Sequence, residues 1–90
     1  MNKAIITVLG ADKVGIIAAV STYLAEKDIN ILDISQTIMQ EIFTMIMMVD
    51  TSKSKSSFDE LHDDLKKMGD GLGVKIQIQR TEIFNSMHKI

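Results

Sequence analysis

The chain has 90 residues, with ten basic and twelve acidic side chains, 46% hydrophobic residues and no cysteine. That length and apolar content fit one globular domain, spanning 1–90, with a core over about 3–80 and a tail at 82–90. A net charge of −2 gives no basic field for nucleic acid or anionic lipid, and the lack of cysteine removes disulfides and thiolate metal sites. The first apolar run, Ala4–Leu9, is too short for a secretory signal, which needs about 7–15 apolar residues, or for a membrane span of about 20. A cytoplasmic location is expected. A domain this small buries a thin core, so association with a second copy is also expected.

Ala4–Leu9 is short and rich in β-branched residues, which predicts a strand buried on both faces or nearly so. Gly10-Ala11-Asp12-Lys13 breaks it. Val14–Lys27 then carries Ile17, Val20 and Leu24 at helical spacing among good helix formers, and Asp12 suits the N-cap. Asp28-Ile29-Asn30 ends that helix. From Ile31 to Gln40 the pattern alternates, with Leu32, Ile34 and Ile38 on one face and Asp33, Ser35 and Thr37 on the other, as in a half-buried strand. Gln40-Glu41 is a tight connection without the usual Asn-Gly or Asp-Gly signal. Ile42–Val49 is apolar on both faces except at Thr44, which suits a central strand.

Residues 50–57 form a Ser- and Lys-rich solvated loop. Ser57 and Glu60 make the Ser-x-x-Glu capping box, and Phe58, Leu61, Leu65 and Met68 form the apolar stripe of a second helix. Its acidic residues sit early and Lys66 and Lys67 late, which suits the helix dipole, and Gly69 reads as its stop. Val74, Ile76 and Ile78 alternate with Lys75, Gln77 and Gln79 as a one-sided strand. Residues 82–90 read as a tail in which Ile83 and Phe84 can dock. The order βαββαβ with right-handed crossovers predicts an α+β, ferredoxin-like fold: a four-stranded antiparallel sheet, strand order 4-1-3-2, with both helices on one face. The second and fourth strands are then edges, open to pairing with another chain.

Catalytic constellations are missing from this pattern. His62 and His88 form no helical metal pair and read as surface residues. The serines cluster in a loop without a neighbouring base. Gly69-x-Gly71-x-Gly73 runs from helix to strand, the reverse of a dinucleotide turn. An RNA-recognition domain of this topology would carry base-stacking aromatics on its central strands and a basic surface, whereas these strands show Ile5, Ile6, Phe43, Met45 and Met47 and the net charge is negative. No cofactor or metal is expected, and the chain does not read as an enzyme. The seven methionines read mainly as core filler. The segment that stands out is Gly10-Ala11-Asp12-Lys13-Val14-Gly15, where a strand leads into a helix N-terminus whose free amides favour an anionic group. Gly15 in the first turn costs helix stability relative to alanine. It leaves room either for a ligand or neighbouring chain, or for packing against a strand.

Those residues, with the preceding strand and with Asp28-Ile29-Asn30-Ile31 and the strand after it, resemble the ACT domain family over about residues 3–80. The chain looks closest to stand-alone ACT proteins and is similar to the ACT parts of the glycine-cleavage repressor and formyltetrahydrofolate deformylase. The resemblance implies the same βαββαβ fold, side-by-side pairing of two copies, and a small ligand, typically an amino acid, near the paired interface. It assigns ligand contact to Ala11, Asp12, Lys13, Val14 and Gly15, with Asn30 and the adjacent Ile31 completing the site from the same or the partner chain. Most ACT domains regulate a fused domain. None is present in these 90 residues, so regulation would act in trans. Two alternatives stand beside this reading: an interaction adaptor with no small ligand, using the exposed edge and the Met-rich third strand, and an acylphosphatase-type enzyme, which would need Arg80 beside the first loop.

Overall fold

The computed structural model describes residues 2–11 and 15–81. The elements run β1 (Lys3–Ala11), α1 (Ile16–Glu26), β2 (Asn30–Met39), β3 (Ile42–Asp50), α2 (Phe58–Leu72) and β4 (Lys75–Arg80). All strand pairs are antiparallel in one sheet of order β2-β3-β1-β4, the expected 4-1-3-2 order seen from the other edge. One face of the sheet carries Ala4, Ile6, Val8, Phe43, Met45, Met47, Val49, Ile76 and Ile78, which form the core with Ile16, Val20 and Leu24 of α1 and Leu61 and Leu65 of α2. Met45 and Met47 are fully buried, as filler methionines should be.

Local chemistry explains most of the boundaries. Gln40 and Glu41 both adopt positive φ, 50° and 71°, the twist a two-residue hairpin needs, reached without glycine. The capping box is present: Ser57 Oγ accepts from the Glu60 amide while Glu60 Oε1 accepts from the Ser57 amide, each at 3.2 Å.

Several expectations are corrected. β1 runs on through Gly10 and Ala11, because Ala11 keeps its pairing with Ile42. α1 starts at Ile16 and is capped by Gly15, not Asp12. α2 passes through Gly69 and ends at Gly73, whose φ of 76° closes the helix while Val74 N–H donates to Gly69 O. Lys66 and Lys67 therefore sit within α2, and no basic residue occupies its last turn. β2 is not half-buried. All ten of its residues are exposed, because only the edge of α1 reaches over it. A bulge at Leu32 also breaks the alternation. Pairing with Val49, Met47 and Phe43 puts Ile31, Ile34 and Ile38 on the helix side, and Leu32 leaves that row.

The helices are tied by Tyr23 Oη, which donates to Asp64 Oδ2 at 2.7 Å. Partial burial, then this bond and the carboxylate charges of Asp64 and Glu60, push the phenol above its ordinary value of 10.0. The folded pKa is raised, so this contribution to stability is intact below pH ~10 and is lost as pH climbs beyond it. Tyr23 is the single tyrosine and tryptophan is absent, so absorbance near 295 nm reads this one group. The expected titration stays flat past pH ~10 and rises only at higher pH, with loss of stability. A midpoint at the ordinary value would contradict the tie.

Candidate functional site

The start of α1 and the far end of β2 enclose a groove of about 410 Å³, lined by Gly15, Ile16, Ile17, Ala18, Gln36, Ile38 and Phe43. Its floor is apolar: Phe43 is buried in the core, while Ile38 stays 60% exposed at the sheet edge. Its polar groups come from the helix end. The first helical hydrogen bond is Ala19 N–H to Gly15 O at 2.9 Å, so the amides of Ile16, Ile17 and Ala18 precede it and have no intrahelical acceptor. No side-chain cap covers them among the described residues. These donors, the positive end of the α1 dipole and the Gln36 amide together offer a carboxylate-sized anion several hydrogen bonds beside an apolar surface.

Gly15 sets the backbone geometry of this end. Its φ is 91°, and a Cβ built on it would meet nothing within 4 Å. The glycine is there for its left-handed backbone and not to relieve packing against a strand. It sits before the helix as its cap, not in the first turn.

Of the expected site residues, Gly15 lines the groove, and Ala11 is exposed at the end of β1. Asp12, Lys13 and Val14 lie outside the described residues. Asn30 and Ile31 are exposed at the start of β2, and Asn30 lines a different hollow with Ala25, Asp28, Ile29 and Lys53. That hollow is at the other end of α1, whose 11 residues span about 16 Å at 1.5 Å per residue. A single chain therefore does not bring Asn30 to Gly15. Gln36 and Ile17, by contrast, were not singled out from the sequence. Gln36 is the polar member of the helix-side row Ile31, Ile34, Gln36, Ile38, but that row becomes visible only once the bulge at Leu32 is known.

β2 supplies the other feature of this region. Ile31, Leu32, Ile34, Ile38 and Met39 are all exposed large apolar residues on a sheet edge, and Ile17 of α1 extends the patch. A long apolar edge with unpaired backbone groups is seldom left bare.

Other sites are less suited. A hollow of about 500 Å³ between α2 and β4 contains no expected site residue, and its Lys66 is engaged by Asp70 at 3.7 Å. Arg80 pairs with Ala4 at the start of β1 and stacks on Phe58 at 4.3 Å, at the end of the sheet away from the β1–α1 loop. The acylphosphatase reading has no arginine where it needs one. Among the described residues no group of three metal-ligating side chains forms, and no helix is long and apolar enough to cross a membrane.

The architecture matches known proteins along almost its whole length. A UPF0237 protein of Clostridium acetobutylicum is 64% identical over 88 residues, covering 98% of this chain and 99% of that protein. The structure of an ACT domain protein from Streptococcus pneumoniae, 48% identical, superposes with a TM-score of 0.82 over 92% of this chain and 93% of that one. A formyltetrahydrofolate deformylase from Pseudomonas syringae pv. tomato shares the fold at 20% identity, with a TM-score of 0.81 over 89% of this chain and 28% of the larger protein. The ACT domain family model itself matches residues 2–79, so the chain belongs to the ACT domain family of regulatory modules.

Proposed function

We propose that two copies of this chain pair edge to edge through β2 and bind an amino acid in the groove at the start of α1, each groove being completed by the other copy. The observation that carries this reading is the separation of Gly15 from Ile31 by the length of α1, together with the bare apolar edge between them. A two-fold antiparallel pairing of β2 with its mate, centred on Ile34 and keeping the Leu32 bulge, sets the partner's Ile31 beside Gln36 and the partner's Asn30 beside Thr37. The partner's Ile31 then stands on the helix side next to the groove, while its Asn30 falls on the other face of the sheet. The ligand's carboxylate takes the amides of Ile16–Ala18, its side chain lies on Ile38 and Phe43, and the Gln36 amide, which can donate and accept, meets its ammonium group beside the partner's Ile31.

Binding at such a junction acts as a regulatory signal because ligand and dimer stabilise each other by linkage. The Clostridium relative is matched over 99% of its length and so consists of this domain alone, which supports action in trans on a separate partner protein. Thermal shift against the twenty amino acids tests the ligand. At a hundredfold excess over its dissociation constant, a bound amino acid adds about 2.7 kcal/mol, or roughly 10–20 °C for a domain of this size. No shift with any amino acid at millimolar concentration would reject the sensor and favour the adaptor.

A further inference from the structure

The serine-rich loop after β3 is not a free linker. Thr51 N–H and Oγ1 both donate to Asn2 O, at 2.7 and 3.1 Å, and Asn2 N–H donates to Ser52 Oγ at 2.9 Å, so the loop is tied back to the start of β1. Thr51, Ser54 and Ser56 are half-buried there, while Ser52, Lys53 and Lys55 stay exposed. This loop, the start of β1, the first turn of α2 and the end of β4 enclose a hollow of about 280 Å³. Lys3 and Arg80 line it and no carboxylate does, although the chain carries twelve acidic residues. Among the described residues neither cation forms an ion pair. Asp50, opposite Lys3 across the β1–β3 ladder, is taken up by Ser52: its Oδ1 accepts from the Ser52 amide and hydroxyl at 2.9 and 2.6 Å. Arg80 is held in place. Its guanidinium carbon lies 4.3 Å from the centre of the Phe58 ring, and beside it Thr81 Oγ1 donates to Lys3 O at 3.2 Å, closing β4 on β1. A guanidinium laid on a ring keeps its edge N–H groups for an oxyanion.

We infer that this hollow binds a small phosphate monoester. Its two positive charges match the near-dianion such a group carries at neutral pH. The Arg80 fork, the Lys3 ammonium, the Ser56 hydroxyl and the Asn2 side-chain amide supply donors from separate directions, which suits a tetrahedral oxyanion better than a planar carboxylate. Phe58 and the buried Leu61 give the ester's carbon body an apolar wall. The volume lies just under the roughly 300–1,000 Å³ of sites for larger small molecules, so the body is short. The site is independent of the amino-acid groove. That groove lies at Phe43, opposite Gly10, which at about 3.4 Å per residue is roughly 24 Å along β1 from Lys3. Arg80 stands on β4, the edge away from β2, so pairing through β2 leaves the hollow open.

Titration of the full-length protein with glycerol 3-phosphate, followed by amide NMR shifts and calorimetry, tests this. Saturable shifts are expected at residues 2–4, 51–58 and 80, and inorganic phosphate should bind more weakly because it lacks the carbon body. Lys3→Gln and Arg80→Gln should each weaken binding at least about tenfold, the effect of losing one charge-assisted hydrogen bond. Lys75→Gln removes the same charge at the other end of β4 and should leave the affinity unchanged. Lys3 is exposed, so Lys3→Gln still decides the matter if Arg80→Gln, which loses the Phe58 stack, fails to fold. Shifts spread over the surface lysines, an equal loss in Lys75→Gln, inorganic phosphate binding as tightly as the ester, or no saturation at millimolar concentration would each overturn the proposal.

Discussion

Replacing Gly69 with alanine is expected to cost about 2 kcal/mol and to lower Tm by roughly 8–16 °C. A Cβ at this position would stand 2.6 Å from Val74 O and 3.2 Å from Ile76 N and Cγ1. Two of the three nearest atoms are backbone, so no rotamer change clears the space. The backbone cannot retreat cheaply either: Val74 N–H is bonded to Gly69 O at 2.9 Å, and Ile76 is locked into the sheet opposite Val8. Gly69 is buried because α2 and the start of β4 touch there. Gly71, two residues on, supplies the control. A Cβ there meets nothing within 4 Å, its φ is not positive, and alanine favours the helix, so Gly71→Ala should raise stability by about 0.5–1 kcal/mol. Thermal melts of the two variants beside the wild type check both signs. Equal, small effects would show that the helix–strand contact is looser than described.

Ile34→Lys is expected to turn the pair into single chains, weakening association by at least about a hundredfold. In the two-fold pairing proposed above Ile34 lies against its own mate, so one substitution places two ammonium groups together at the centre of an apolar seam, where like charges are costly. The fold of each chain should survive, because Ile34 is 40% exposed in the single chain. Mass and light scattering over a concentration series read the result. The reciprocal variant, Ile34→Cys, uses the absence of native cysteine. Opposed residues of antiparallel strands have Cα atoms about 4.5–5.5 Å apart, within disulfide range. Mild oxidation should therefore link two chains through Cys at this position and not through Cys at Thr37, whose mate lies further along the strand. Efficient linkage at both positions, or at neither, would refute the register.

The fold was legible in the sequence because its signals were local and agreed with one another. The Ser57–Glu60 box, the stripe Leu61–Leu65 and the alternation Val74–Ile76–Ile78 each specify one element, and their order specifies the sheet. The errors arose where tertiary contact overrode a local rule. Gly69 looks like a helix stop, yet it lies inside α2 because only glycine lets Val74 approach. β2 alternates like a half-buried strand, yet it is exposed throughout because only the edge of α1 reaches over it in one chain and because the Leu32 bulge, which has no sequence signature, changes which residues share a face. The site divided in the same way. The glycine at residue 15 could be read from its cost to a helix, and the structure gives the cause as a left-handed cap. Gln36 could not be read, since its place in the groove depends on the bulge and on the crossing of α1 over the sheet edge. Asn30 was named through the family resemblance, and no local signal says which face of the sheet it takes.

Mixing two defective variants tests whether the site is shared. Gly15→Val fills the groove entrance and strains a left-handed residue by about 1–2 kcal/mol, while Ile31→Asp puts a charge into the wall supplied from across the seam. Each variant alone should fail to bind the amino acid that most stabilises the wild type. After the two are mixed, partly unfolded and refolded together, calorimetry should detect binding restored in one of the two grooves of each mixed pair, where an intact Gly15 from one chain faces an intact Ile31 from the other. If the mixture binds no better than its separate components, the ligand site does not span two chains and the account fails.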